Sequence, residues 1–409
     1  MNDRGRQHTR RTLVVLHSEA AAGPPQHVFP WLSPLAERGC VTTVMPGPGS
    51  AAGLYETIGA TRVARFDALT YPAGVRAVGP YAARFVADIL SFSRLVRQVR
   101  PDLIVVVTAS VPAALVAARL QRVPTVVFVG EILAKRLVMS RGRSLAAAGT
   151  VRLTAALADA VVCCSETVAQ QFAPMRTRLL RTIYPGVNGT YTGGDGARFR
   201  LRHGLTEADP CIAVIGNVTR ARGQDLVIRA LPRLREELPG VRCVIAGAPH
   251  PRSGDLAYRQ ELETLARRLG VEDAVVFVGL VDPIADLYAA ADIVLNPARF
   301  NEAFGRVAIE AITAGCPVVA SCVGATPEIV RDGKEALLFA AEDHEALAAA
   351  VLRLWRDKEL REELVRNGRQ RVATKFSEEV AVEAFADVVE RVRASRDAGG
   401  TARVLGDLR

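Results

Sequence analysis

The chain has 409 residues, 49% of them hydrophobic, enough for about two domains that each bury a core. Its formal charge of +9 is carried almost wholly by arginine, since Lys135, Lys334, Lys358 and Lys375 are the only lysines. Anionic partners fit this balance, but aromatics make up only 5% and no basic run is interleaved with them, which argues against a nucleic-acid surface.

From the start, the basic residues Arg4 to Arg11 lead into an apolar run, Leu13–Leu16, that His17 and Glu19 cut short, too little for a signal peptide. Strands are expected at Thr12–His17, Val41–Met45, Leu103–Val107, Thr125–Val129 and Ala160–Cys164, with amphipathic helical stretches such as Tyr81–Gln98 between them. Near-continuous Val, Ile and Leu in these runs means a parallel sheet buried on both faces. The uncharged apolar stretch Leu103–Ala118 is shorter than a membrane span needs and holds Pro112. The scheme then repeats at Ile212–Gly216, Val241–Ala246, Val275–Val278, Asp292–Asn296 and Pro317–Ser321, giving two doubly wound α/β domains. Gly and Thr crowd Asn188–Arg198, which reads as the linker, so the domains are expected at 1–188 and 189–377. Seven cysteines without a C-x-x-C pair, mostly inside apolar runs, read as reduced core thiols of a cytoplasmic protein rather than a disulfide framework or a zinc site.

Asn296–Phe339 carries the densest chemistry. A loop ends at Glu302, Gly305 lets backbone approach a ligand, and Arg306–Thr313 has helical character, so unpaired N–H groups around Phe304, Gly305 and Arg306 would face an anion. Glu310, one turn beyond Arg306, would lean back toward the same ligand. Two carboxylates beside a phosphate mouth suggest a sugar nucleotide, because each can accept hydrogen bonds from vicinal hydroxyls. Gly315-Cys316-Pro317 should end that helix and Thr326-Pro327-Glu328 begin the next. A capping Glu302 and a solvated Glu310 would be the plainer account of two glutamates on their own.

This ordered segment resembles the sugar-nucleotide motif of retaining glycosyltransferases of the group 1 type. The resemblance implies the GT-B fold, two Rossmann-like domains with a cleft between them, and a helix at about 378–395 that packs back on the first domain. It implies that Glu302 contacts the transferred sugar and acts in catalysis, and that Glu310 holds the nucleotide ribose. Asn217-Val218-Thr219-Arg220-Ala221-Arg222-Gly223, after a strand and before a helix, suits a diphosphate through guanidinium forks. It is similar to the family's phosphate loop, with Arg222 in the lysine place and Asn217 in the usual arginine place, so either Arg220 takes over that duty or Asn217 serves by hydrogen bonding alone. Phe277 to Val281 resembles the turn whose backbone reads the nucleobase, with Val281 at the donor.

The resemblance points to Glu131 at the acceptor or the sugar, weighed evenly against a solvated loop carboxylate, and Gly23 and His27 are further acceptor-side candidates, although the family's paired glycines after the first strand are here reduced to Gly23 followed by Pro24 and Pro25. His17, like His27, is weighed against simple packing or capping. Lys135, Arg136, Arg141 and Arg143 read first as a solvated helix surface, and otherwise as a seat for an anionic acceptor or an anionic membrane face. No D-x-D triplet occurs, so the diphosphate is expected to be met by arginines and a helix terminus, without metal or other cofactor. The expected reaction is transfer from a nucleotide-diphosphate sugar to a hydroxyl acceptor with retention, in cell-envelope glycan or glycolipid synthesis. A nucleotide-sugar epimerase, a sugar phosphorylase and a non-catalytic sugar-nucleotide-binding protein are the alternatives.

Overall fold

A computed structural model describes residues 9–20, 23–64, 66, 78–133, 141–249, 255–299 and 302–397. Lys135 and Arg136, and the side chains of Arg141 and Arg143, lie outside the described residues. Contacts divide the chain into two compact units, Met1–Gly186 with Glu378–Arg409, and Val187–Ser377.

The first unit is a parallel sheet of seven strands: β1 (Arg10–Leu16), β2 (Gly39–Met45), β3 (Ala60–Val63), β4 (Leu103–Val107), β5 (Thr125–Val129), β6 (Ala160–Cys163) and β7 (Leu180–Thr182), in the order β3-β2-β1-β4-β5-β6-β7. Its central strands are apolar throughout because helices cover both faces: every residue of β4 and β5 is buried. The register sets Val14 beside Val105 and Val105 beside Val126. The final helix, Glu378–Asp397, is part of this unit. Its Phe385 packs on Trp31 at 5.4 Å, and Arg393 pairs with Asp102 at 2.9 Å.

The second unit holds β8 (Cys211–Ile215), β9 (Arg242–Ala246), β10 (Val275–Gly279), β11 (Ile293–Asn296), β12 (Val318–Ser321) and β13 (Leu337–Phe339), all parallel, in the order β10-β9-β8-β11-β12-β13. Chain direction across the sheet reverses between β8 and β11, and crevices at such a switch point are where open α/β sheets bind ligands. The helix Arg306–Ala314 follows β11 and ends at Gly315, whose φ of 95° is the left-handed turn a glycine tolerates.

Asn188–Arg198, read from composition as a linker, is built into the second unit. It forms a short 3₁₀ turn, Gly189–Tyr191, capped by the Asn188 side chain, and starts the helix Gly196–Arg202. The Asp195 N–H donates to Asp286 at 2.7 Å, which anchors the segment against the helix Ile284–Ala290. Five cysteines are buried, whereas Cys40 and Cys322 are exposed. Among the described residues no helix is long and apolar enough to cross a membrane.

Candidate functional site

Two loops meet at the β8/β11 switch point of the second unit. After β8 the chain turns at Gly216, with φ of 137°, and passes so close to Gly247 that a Cβ on Gly247 would stand 2.1 Å from the Gly216 oxygen. The loop then forms a 3₁₀ turn, Arg220–Arg222, and enters the helix Gln224–Glu237 at Gly223, whose φ is 68°. A Cβ on Gly223 would lie 2.1 Å from the carbonyl oxygen of Pro297, just past β11. Both crossings need glycine: the first holds the loop after β8 against the loop after β9, and the second presses it onto the loop after β11.

A buried acid fastens the two loops. Asp225 accepts from Tyr258 at 2.7 Å and from Arg299 at 2.6 Å, and the Arg299 N–H donates to the Ala221 carbonyl at 3.0 Å. Burial foremost, reinforced by Asp225, pushes the Tyr258 hydroxyl far above its ordinary range, so it donates throughout physiological pH. None of this triad was legible as a site, although a charged residue at a helix start beside a glycine is a cue for such a staple.

At the centre, Nη1 of Arg222 donates to Oε1 of Glu302, and the amide of Asn296 donates to Oε2 at 3.1 Å. Only 11% of the Glu302 side chain is exposed, against 35% for Arg222. The Glu302 carbonyl accepts from the Ala325 N–H at 2.9 Å, which fixes its backbone too. Gly305 leaves room for this arrangement: a Cβ there would approach Oε2 of Glu302 to 3.2 Å. No side chain caps the helix at Gly305, so its N-terminal dipole is left for a ligand, with buried Phe304 behind it against Phe376.

One turn further, Glu310 has both oxygens engaged. Arg306 Nε donates to Oε1 and the Tyr288 hydroxyl to Oε2, each at 2.9 Å, while Arg306 Nη2 donates to the Tyr191 hydroxyl at 2.6 Å. Burial opposes the Arg306 cation, but Glu310 and Tyr191 outweigh it and raise its pKa. Burial first, then Glu310, lifts the Tyr191 hydroxyl to about 12.

The structure thus brings Arg222, Glu302, Gly305, Arg306 and Glu310 to one place. It does not bring Arg220 there: that side chain pairs with Glu261 and lies over the Tyr258 ring at 5.1 Å. Asn217 is exposed, and its carbonyl accepts from Gln224 at 3.0 Å. Val281 is half-buried just beyond β10, next to Leu280, which is 80% exposed. Asn296, Tyr191 and Tyr288 were missed; an amide closing an otherwise apolar strand was the available signal for Asn296.

In the first unit, Gly23 (φ 59°) precedes the helix Pro24–Glu37 and accepts from the His27 N–H at 3.0 Å, and a Cβ on Gly130 would meet Pro24 at 3.1 Å. Glu131 accepts from the N–H groups of Ala109 and Gly130 at 3.2 and 3.0 Å, so it ties the loop after β4 to that after β5. Burial lowers the pKa of His17 at the end of β1.

Comparison with known proteins agrees with this architecture. Residues 197–371 match the glycosyl transferases group 1 family, and residues 23–190 match glycosyltransferase family 4. The second unit belongs to the group 1 glycosyltransferases. Within that family, a protein of Acidothermus cellulolyticus named D-inositol 3-phosphate glycosyltransferase is 35% identical over 261 residues, 61% of this chain and 57% of that protein. One of the same name from Mycobacteroides abscessus is 38% identical over 172 residues, 41% of this chain and 37% of that protein. The chain spans about half the length of the curated relatives it matches. The solved structure of Anabaena Alr3699/HepE in complex with UDP superposes with a TM-score of 0.79 at 23% identity, covering 93% of this chain and all of that one. Sucrose-phosphate synthase from Thermosynechococcus elongatus gives 0.75 at 22% identity over 94% of this chain and 100% of that one. Their common architecture is the GT-B fold, which this chain shares.

Proposed function

We propose that this protein transfers a sugar from a nucleoside-diphosphate sugar to a hydroxyl acceptor, and that the donor sits at the β8/β11 switch point of the second unit. The observation that carries the reading is the pairing of Arg222 with Glu302 beside an uncapped helix N-terminus, since a cation and N–H dipoles suit a diphosphate and a carboxylate suits sugar hydroxyls. UDP is the nucleotide to expect, in line with the complexes of Anabaena Alr3699/HepE with UDP and UDP-glucose.

When donor binds, its diphosphate takes Arg222 and the helix mouth, and Glu302 turns to the sugar. The bond from the anomeric carbon to the diphosphate oxygen breaks, and its electron pair leaves with the phosphate, whose charge Arg222 and the helix dipole stabilise. The acceptor oxygen forms the new bond on the same face, and its proton passes to the departing phosphate, which gives retention. Glu302 stabilises the positive charge that builds on the sugar ring. The same cations let the site work without a divalent metal.

The test is a thermal-shift screen with UDP, GDP, ADP and their glucose derivatives, followed by assay of nucleotide release. A ligand that binds only the native state at a hundred times its Kd stabilises it by about 2.7 kcal/mol. A rise in Tm with slow release of UDP from UDP-glucose supports the transferase. Binding without any turnover supports a sugar-nucleotide-binding protein, and no shift with any nucleotide overturns the site.

A further inference from the structure

Arg306 is hard to explain by helix stability. It occupies the first position of its helix, where a cation opposes the dipole, and it stands ahead of Glu310, the weaker order for an i,i+4 ion pair. Its long side chain is nevertheless largely buried, 18% exposed, and fixed at both ends of its fork, by Glu310 and by the Tyr191 hydroxyl. Tyr191 is itself held: its ring meets that of Tyr288 edge-on at 6.1 Å, on a turn capped by Asn188. Tyr288, 1% exposed, completes the ring by donating to the other Glu310 oxygen.

We propose that Arg306 and Tyr191 are positioning residues that lock the Glu310 carboxylate in the orientation that accepts the ribose hydroxyls of the donor nucleotide, and so set the preference for ribonucleotide over deoxyribonucleotide. This rests on the reading of the second unit as the donor site. The chemistry is that of a shared acceptor. Each carboxylate oxygen takes more than one hydrogen bond, so the Arg306 and Tyr288 contacts leave lone pairs for a diol while removing the rotational freedom that would otherwise be lost on binding. Without Arg306 the carboxylate keeps only hydroxyl partners, Tyr288 and the neighbouring Tyr191, and no charged fork fixes where its remaining lone pairs point. Tyr191 acts on both groups: its hydroxyl accepts from the guanidinium and stops it from swinging off Glu310, and it stands within hydrogen-bonding reach of that carboxylate.

The experiment compares calorimetric affinities for UDP and 2′-deoxy-UDP in the intact protein and in Arg306→Met, Arg306→Lys and Tyr191→Phe. The unaltered protein should prefer UDP by about tenfold, the value of one hydrogen bond to a charged acceptor. Arg306→Met should bring that ratio to within about twofold of unity by weakening UDP alone, Arg306→Lys should recover part of it, and Tyr191→Phe should fall between. A general packing defect would weaken both nucleotides and leave the ratio intact. A wild-type ratio retained in Arg306→Met therefore overturns the proposal, and should that variant fail to fold, an unchanged ratio in Tyr191→Phe overturns it instead. No preference in the unaltered protein, or no binding of UDP at all, sinks the donor-site reading together with this one.

Discussion

Arg222 and Glu302, eighty positions apart in the chain, are joined by a hydrogen bond from guanidinium to carboxylate across the switch point of the second sheet. In the proposed reaction these two groups serve different parts of the donor, so in the free protein each occupies the other's place. The pairing keeps a half-buried cation and a largely buried anion satisfied until substrate replaces them.

Competition for that guanidinium gives opposite outcomes for the two partners. Glu302→Gln should leave the affinity for UDP unchanged or improve it, because a neutral amide holds Arg222 less strongly, yet cut turnover by about a hundredfold or more through loss of charge stabilisation at the sugar. Arg222→Ala should weaken UDP and UDP-sugar alike by about ten- to a hundredfold. Calorimetry with UDP and a steady-state transfer assay separate the two, and equal losses of affinity and turnover for Glu302→Gln would reassign the carboxylate.

The close approach at Gly223 makes a second, structural demand. Gly223→Ala puts a side chain at φ 68° and drives its Cβ to 2.1 Å from the Pro297 oxygen, so the loops after β8 and β11 must part. The expected cost is at least about 2 kcal/mol, with nucleotide affinity falling alongside. Gly270 offers the comparison: its φ is 65° but nothing stands within 4 Å of an added Cβ. Gly270→Ala should cost only the conformational part, about 1–2 kcal/mol, and spare nucleotide binding. Chemical denaturation of both variants checks the difference.

The interior of both sheets was readable, and of their four edge strands only Val275–Gly279 was. Leu103–Val107 and Thr125–Val129 were expected as strands with the bounds the structure gives, because a strand with neighbours on both sides and helices on both faces must be apolar at every position. The strands the sequence did not reveal are Ala60–Val63, Leu180–Thr182 and Leu337–Phe339, each an edge of its sheet. An edge strand pairs on one side only; Ala60–Val63 has no fully buried residue, so nothing in its composition sets it apart from a loop. The site divides the same way. Glu302, Gly305 and Glu310 stood out because their spacing is local. The partners that aim them, Asn296, Tyr288 and Tyr191, come from other elements, and Tyr191 lies in a stretch whose Gly and Thr content imitates a linker.

A pH effect follows from Glu335, whose side chain is only 1% exposed and accepts from the Arg331 N–H at 2.8 Å as well as from its guanidinium. Burial acts to raise its pKa, but the Arg331 hydrogen bonds and charge prevail and hold it below the ordinary carboxylate value. A depressed folded-state pKa contributes stability that is present above the unfolded value, about 4.3, and is lost as pH falls through the folded value. Glu335→Gln should therefore cost about 1–2 kcal/mol near neutrality, and the gap to wild type should close as pH drops below about 4. Urea midpoints measured across that range give the curve, and a gap that does not vary with pH would assign the loss to packing.

The last helix makes the fourth prediction. Ala381, Phe385, Val388, Val389 and Val392 are all buried and recur at helical spacing, so one face of Glu378–Asp397 belongs to the core of the first unit. Phe385 is fully buried against Trp31 at 5.4 Å, and Trp31 in turn meets Phe128 of β5 edge-on at 5.2 Å, a run of three rings from the last helix to the sheet. Phe385→Ala leaves a cavity that neither Trp31, 1% exposed, nor the helix can collapse into, and should cost about 3–5 kcal/mol. Leu201→Ala, at a position 83% exposed, should stay within about 0.5 kcal/mol. The chain holds two tryptophans, Trp31 in the first unit and Trp355 in the second, so a Trp355→Phe background lets fluorescence follow the first unit alone. In that background Phe385→Ala should lower the denaturation midpoint seen by Trp31. Because the rings touch, combining it with Trp31→Leu, with all variants of this set followed by circular dichroism since Trp31 is itself replaced, should cost less than the two separate losses added together. Full additivity of the pair would mean that the last helix is held by its aliphatic residues and its Arg393–Asp102 pair, with the ring contact contributing nothing of its own.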